Sequence, residues 1–322
     1  MDKMISTENW EITRYTGDDR ELWDSLVRAS RNATFLHLRG YMDYHSDRFA
    51  DASLIAYFRG KPMALLPANL TRENVLRSHG GLTYGGWILP EGHLDGADVL
   101  SLFQALKEYC RGAGIDRIDY SPVPAIYHRR PSQDDIYALF RMGATMTSCA
   151  ISSTIDYADP GGFNTLMRRH LRKAERLNPE ISEQEDVTEF HRMLEQCLAD
   201  RHDTAPVHTL GELQMLRDAF PDNIRVFTLS VDGEVQAGIC MYLTDTVAHA
   251  QYIATTAAGR GNNVLPYLVH HLIDLFSTTR RYFDFGTSCE EGGLVLNEGL
   301  LRQKSSFGAS TTVYQRFCIS TN

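Results

Sequence analysis

The segment Thr256-Ala-Ala-Gly259-Arg260-Gly261-Asn262-Asn263 lies between an apolar strand and an amphipathic helix. Glycines leave backbone N–H groups uncovered and a helix N-terminus adds partial positive charge, so the segment could hold a pyrophosphate; the plain alternative is a tight turn. His249, on the preceding strand, is a candidate base because imidazole titrates near neutrality; the alternative is a hydrogen-bonded sheet histidine. Tyr252, three residues on, faces the other side of that strand unless a bulge intervenes. Glu290 and Glu291 follow the strand Phe283-Asp284-Phe285-Gly286, where an acid is well placed to take a proton, or simply meets solvent. A second group sits early in the chain: Tyr41, Tyr44, His45, Asp47 and Arg48, then Arg77-Ser78-His79 and Tyr84. Aromatic faces stack on sugars and arginines meet phosphates, although turn and capping chemistry would account for some of these residues. Arg168, Arg169, Arg172, Lys173 and Arg176 recur at spacings of three and four, so several share one helix face, for a phosphate or for water. Cys289 has no paired base. His270-His271 are adjacent and cannot chelate one ion well, and no HExxH spacing occurs, so no metal is expected.

The elements that must position these residues occur twice. Residues 53–86 and 224–259 each read as a strand, a tight glycine turn, a longer strand, a polar turn and a third strand. Each run leads into a helix and a strand, Ile118-Asp119-Tyr120-Ser121 in the first copy and Phe283-Asp284-Phe285-Gly286 in the second. A further helix, a Gly-Ala pair and a last strand follow each time. The reading places helices at 20–31, 96–111 and 132–142, with strand 145–156 closing the first copy. It places helices at 161–177, 186–203, 209–219, 261–277 and 294–305 in the second, with a last strand at 309–319. Thr209 with Glu212 forms a capping-box pattern. An antiparallel meander followed by a helix and a parallel strand is an α+β order.

This order resembles the GCN5-related N-acetyltransferase (GNAT) fold. Its acyl-CoA loop, Q/R-x-x-G-x-G/A, is matched by Gly259 and Gly261, with Thr256 in place of Gln/Arg. The tandem arrangement resembles the FemABX-like branch, which includes peptidoglycan-bridge aminoacyltransferases. The basic run Arg168–Ala174, the strand Phe283–Gly286 and Lys304-Ser-Ser-Phe307-Gly308 are similar to segments of that branch. The resemblance implies two tandem GNAT-like domains, each a mixed, mostly antiparallel sheet flanked by helices. The first, 1–157, would shape the acceptor and carry a degenerate donor site. The second, 158–322, would hold the donor and carry extra helices at about 186–219. It implies transfer of an activated acyl group to an amine, which asks only for positioning, a proton acceptor and oxyanion stabilisation. Thr256, Gly259, Arg260, Gly261 and Asn262 would bind the donor. Lys304 would hold the reacting carbonyl or a donor phosphate, with Glu290 and His249 as its catalytic companions. Tyr44, His45, Arg48, His79, Tyr84, Arg169 and Arg172 would contact the acceptor.

The composition fits this reading. At 322 residues there is room for two domains, and 43% hydrophobic with 23% charged residues is ordinary for a globular chain. A net charge of -9 argues against nucleic-acid binding by the whole surface. Six scattered cysteines without a CxxC pair suit a reducing compartment, and no run of about 18 apolar residues occurs, so a cytoplasmic enzyme is expected. The expected activity is an N-acyltransferase using acyl-CoA as co-substrate on an amine of a cell-envelope or surface-polysaccharide precursor. Aminoacyl-tRNA is the alternative donor, and a non-catalytic glycan-precursor binding protein the alternative class.

Overall fold

A computed structural model describes residues 9–92, 94–202 and 205–321. The chain forms two compact units. One comprises residues 1–150, 291–295 and 313–322; the other comprises 151–290 and 296–312. The sequence reading cut the chain once, at 157/158.

In the first unit, β1 (Trp10–Arg14), β2 (Leu54–Phe58) and β3 (Lys61–Leu66) make an antiparallel sheet, with helices α1 (Arg20–Arg28) and α2 (Arg39–Met42) between β1 and β2. Arg59 and Gly60 turn the β2–β3 hairpin at φ 50° and 77°, the left-handed pair that a tight hairpin with right-twisted strands needs. A second sheet runs from β4 (Asn69–Leu70) to β5 (Val75–Arg77), then β6 (Arg117–Tyr120). Helix α3 (Gly96–Gly112) joins β5 to β6, and Asp95 caps it by accepting from Ala97 and Asp98 N–H. Val99, Leu102, Phe103 and Leu106 recur at helical spacing and bury against Leu54, Trp87 and Ile118. Helix α4 (Asp134–Arg141) completes the unit's helices, and the chain leaves through β7 (Thr145–Asp156).

The second unit begins with α5 (Thr165–Glu175), β8 (Glu180–Gln184), α6 (Thr188–His202) and α7 (Leu210–Ala219). The meander β9 (Ile224–Val231), β10 (Glu234–Leu243) and β11 (Val247–Thr255) follows, then α8 (Ala257–Asn262), α9 (Leu265–Phe276) and β12 (Tyr282–Thr287). The short strands β13 (Cys289–Glu290) and β14 (Val295–Leu296), α10 (Glu298–Ser305) and β15 (Ser310–Ser320) end the chain. The sheet order in this unit is β7-β12-β11-β10-β9-β8. Its core joins Ile239, Met241 and Ala250 of the meander to Leu268, Leu272 and Phe276 of α9 and to Phe283 and Phe285 of β12.

Three expectations are corrected. Strand 145–156 does not close the first copy: its Thr154 pairs with Asp284 of β12 in the second unit. The place it would have filled is taken by the C-terminal half of β15, whose Cys318 pairs with Asp119 of β6. The closing strands are thus exchanged, because hydrogen-bond register, not chain order, fixes which edge each one completes. Second, the helix expected at 261–277 is two helices. Asn263 takes a left-handed conformation (φ 57°) between them, and Pro266, which has no N–H to donate, sits in the first turn of α9. Third, residues 53–86 are not one three-strand meander: β3 ends at Leu66 and β4–β5 lie in a separate sheet, while β1 and β8, both edge strands, were not foreseen. Among the described residues no helix is long and apolar enough to cross a membrane.

Candidate active site

The site is built where two parallel strands part. β11 and β12 pair over three rungs, Val247↔Tyr282, Ala248↔Phe283 and His249↔Asp284. Beyond His249, β11 stays with β10 while β12 continues against β7. Two local features drive the parting. The register of β11 on β10 slips between Met241↔Ala250 and Cys240↔Tyr252, a bulge at Gln251 that bends the strand. On the other strand Gly286 takes φ 75°, which leaves extended geometry and which a side chain would resist.

The bulge also decides orientation. Cys240 and Tyr242 are two apart on β10 and share a face, so their partners Tyr252 and His249 share it too. Ile253 and Thr255 face the opposite side, where a cavity of about 480 Å³ opens. Phe285 of β12, Gly259 and Leu265 from the helical side, and Lys304 of α10 complete its wall. The fork therefore has His249 on one face and a cavity on the other.

At the fork's apex, His249 Nδ1 lies 2.7 Å from Asp284 Oδ2. Asp284 is fully buried; its Oδ1 accepts from Ser152 Oγ and Thr154 Oγ1, each at 2.7 Å, and its Oδ2 from Gly286 N–H at 3.1 Å. Burial is the largest influence and opposes ionisation, but the bonds from His249, Ser152 and Thr154 outweigh it and hold the carboxyl below its ordinary range. A carboxylate only accepts, so His249 must donate from Nδ1. In the neutral ring that leaves Nε2 as the proton acceptor.

Lys304 is buried at 7% exposure, so it is no surface lysine. Its Nζ donates to the carbonyls of Gly286 (2.8 Å) and Thr287 (2.7 Å), just where β12 turns away. Burial pulls its pKa down to about 8, against the opposing pull of Asp284 and Cys289. Glu290 does not join this group: it is exposed and accepts from Asn297 Nδ2 at 3.2 Å.

The glycine segment is not an open loop. Residues 257–262 form α8, and Thr256 caps it, its hydroxyl accepting from Gly259 N–H at 3.0 Å. A Cβ on Gly259 would stand 2.3 Å from the Gln236 carbonyl oxygen, so close packing requires this glycine. Arg260 Nη1 donates to Thr255 O (2.7 Å), Asn262 Nδ2 to Gln236 Oε1 (3.0 Å), and Gly261 O accepts from Lys173. Local bonds thus occupy much of the hydrogen-bonding capacity expected to meet a donor, though Gly259 and Arg260 still line the cavity.

In the first unit, Tyr44, His45, Arg48 and His79 come together. His45 stacks on His79 at 5.1 Å, Tyr44 packs on His45 at 4.3 Å, and the Arg48 guanidinium lies 5.4 Å from the Tyr44 ring. His45 and His79 are buried, and burial lowers the pKa of His79 to about 3, leaving it neutral. Tyr84 belongs to a neighbouring group, 4.6 Å from Tyr127 and bonded to Thr34. Arg169 and Arg172 are exposed on α5; Arg172 also borders a separate cavity of about 420 Å³ with Phe163, Leu171 and His270. The sequence reading quoted Asp284 and Gly286 only as part of a strand segment, without a role, and did not single out Ser152 and Thr154. The available signal was an acid between two core phenylalanines, which cannot stay charged there without partners.

Residues 163–292 match the family model described as Acetyltransferase (GNAT) domain. No curated protein matches the chain. Among solved structures, FemX aligns at 10% identity with a TM-score of 0.67, over 95% of this chain and 96% of that one. L-PGS from Bacillus licheniformis aligns at 11% identity with a TM-score of 0.62, over 96% and 93%. A tandem GNAT protein from the clavulanic acid biosynthesis pathway aligns at 11% identity with a TM-score of 0.53, over 97% and 99%. At these identities the likeness is one of fold.

Proposed function

We propose that this chain, which has a FemX-like tandem GNAT fold and matches the GNAT acetyltransferase domain model over residues 163–292, moves an acyl group from acyl-CoA to a primary amine. The observation that carries the reading is the β11–β12 fork, with a cavity on one face and the His249–Asp284 pair on the other. The acyl donor occupies the 480 Å³ cavity and presents its carbonyl at the fork. The amine approaches from the His249 face and attacks the carbonyl as it loses a proton to His249 Nε2; the thioester C–S bond then breaks, and coenzyme A leaves as a thiolate that regains a proton from the imidazolium through solvent. Asp284 holds the ring in the required tautomer and stabilises the imidazolium that forms. The ammonium of Lys304 lines the cavity and offsets negative charge developing on the carbonyl oxygen. The acceptor class is an amine of a cell-envelope or surface-polysaccharide precursor.

A second donor, aminoacyl-tRNA, is favoured by one observation: Gly259 N–H is engaged by Thr256, while α5 exposes Arg168, Arg169 and Arg172. Calorimetric titration with acetyl-CoA and with charged tRNA separates the two. Saturable acetyl-CoA binding that Ile253→Trp abolishes supports the first reading; binding of charged tRNA alone replaces it with the second.

A further inference from the structure

The first unit repeats the fork's pairing rung for rung. β5 and β6 run parallel through Val75↔Arg117, Leu76↔Ile118 and Arg77↔Asp119, as β11 and β12 do through Val247↔Tyr282, Ala248↔Phe283 and His249↔Asp284. On the last rung Arg77 replaces His249, and the aspartate is kept. On the antiparallel side Cys318 opposes Asp119 where Thr154 opposes Asp284. Arg316 stands two residues before Cys318, as Ser152 stands two before Thr154. The proton-accepting side chain and the two hydroxyls of the second unit are thus replaced by two arginines and a thiol. A guanidinium stays charged throughout the physiological range and cannot act as a base.

These residues line a cavity of about 440 Å³, together with Arg117, His79 and Ser121. Asp119 receives Arg77 Nε on one oxygen (3.3 Å) and Arg117 Nε on the other (3.1 Å). Arg316 is exposed and forms no ion pair with an acid among the described residues. Three guanidiniums against one carboxylate leave an excess of two positive charges. His79, 4% exposed, lines the same cavity, and its Nδ1 has no hydrogen-bond partner among the described residues.

We infer that this cavity is a binding site for a phosphate dianion, most simply the phosphoryl group of a small phosphorylated metabolite. The excess charge of two matches a phosphate dianion, guanidinium forks suit its oxygens, and the buried imidazole offers a further polar atom. The site stands whether or not the second unit transfers acyl groups, since no part of it lies there.

The test is calorimetric titration of the full chain with inorganic phosphate and with methyl phosphate, with acetate as the comparison anion. Saturable phosphate binding, stronger than acetate, is expected. Arg316→Ala is expected to weaken it by about tenfold, the loss of one charge-assisted contact. Asp119→Asn, which removes the competing carboxylate, is expected to tighten it. A purely structural Arg–Asp cluster would not give shifts of opposite sign. Arg302→Ala, on α10 in the second unit where Arg302 pairs with Glu298, is expected to leave the affinity unchanged. Preference for methyl phosphate identifies a phosphorylated metabolite as the occupant; preference for inorganic phosphate identifies the free ion. Absence of saturable phosphate binding, identical affinity in Arg316→Ala and wild type, or loss of binding in Arg302→Ala would overturn the assignment.

Discussion

His249 and Asp284 share a single proton transfer, in which the imidazole takes the proton and the carboxylate fixes which nitrogen is available. Asp284→Asn keeps the shape but presents an amide N–H or a weaker acceptor to Nδ1, which disturbs the tautomer. Turnover is expected to fall by about 10²- to 10⁴-fold, the usual range for a positioned base. His249→Ala should fall comparably, and the double variant little further, because the two act as a unit. Steady-state rates on the three variants check this, and full additivity would separate the residues. Lys304 gives a second expectation. Its folded pKa is about 8, below that of an unfolded lysine. The folded chain therefore releases this proton first as pH rises. Stability from this group is fully present above the unfolded value and is lost as pH falls through about 8. If its charge serves the reaction, activity must run the other way and decline above about pH 8. A pH–rate profile in which Lys304→Arg carries activity to higher pH supports that role; an unchanged profile removes it.

At the scale of elements, α8 answers two questions that the glycine pattern alone left open. Gly259 is held against Gln236 O, while nothing stands within 4 Å of a Cβ built on Gly261. Gly259→Ala is expected to cost about 1–3 kcal/mol, the range for overpacking, in a denaturant melt. Gly261→Ala should be neutral or stabilising by up to about 1 kcal/mol, since alanine is the better helix former. If Gly261→Ala instead weakens acetyl-CoA binding while stability holds, the donor approaches the backbone at that residue. The bulge at Gln251 matters for the same kind of reason. Without it Tyr252 would point to the opposite face from His249; with it both stand on the face away from the cavity. An inserted residue of this sort leaves no mark in an alternating apolar pattern, so local sequence could raise the possibility but not settle it.

Across the whole molecule the exchanged strands are the decisive feature. Residues 1–157 lack Phe317 and Ile319, both buried in the first core, and lack the antiparallel partner of β6. Residues 158–322 lack Ser152 and Thr154, which hold Asp284, and the antiparallel partner of β12. Each fragment expressed alone is expected to be unfolded or aggregated, with poor amide dispersion by NMR. Co-expression is expected to restore a folded, acetyl-CoA-binding pair. A well-folded isolated 158–322 fragment would show that the exchanged strand is dispensable.

The sequence by itself determined the repeat, the α+β class, most helices and the residue types at the fork. These follow from periodicity, turn residues and the copy-to-copy comparison, all local or near-local signals. It singled out His249 and Lys304, but read Glu290 as their companion because an acid after a parallel strand has the right address. Only tertiary structure decided that Asp284 is the partner, because Ser152 and Thr154, which make a buried carboxylate tolerable there, come from a strand 130 residues earlier. It also decided that the glycine segment is a capped helix, since the contact requiring Gly259 is with Gln236 on a neighbouring strand. Both outcomes depend on cross-strand register, which is fixed when strands distant in sequence compete for the same sheet edge.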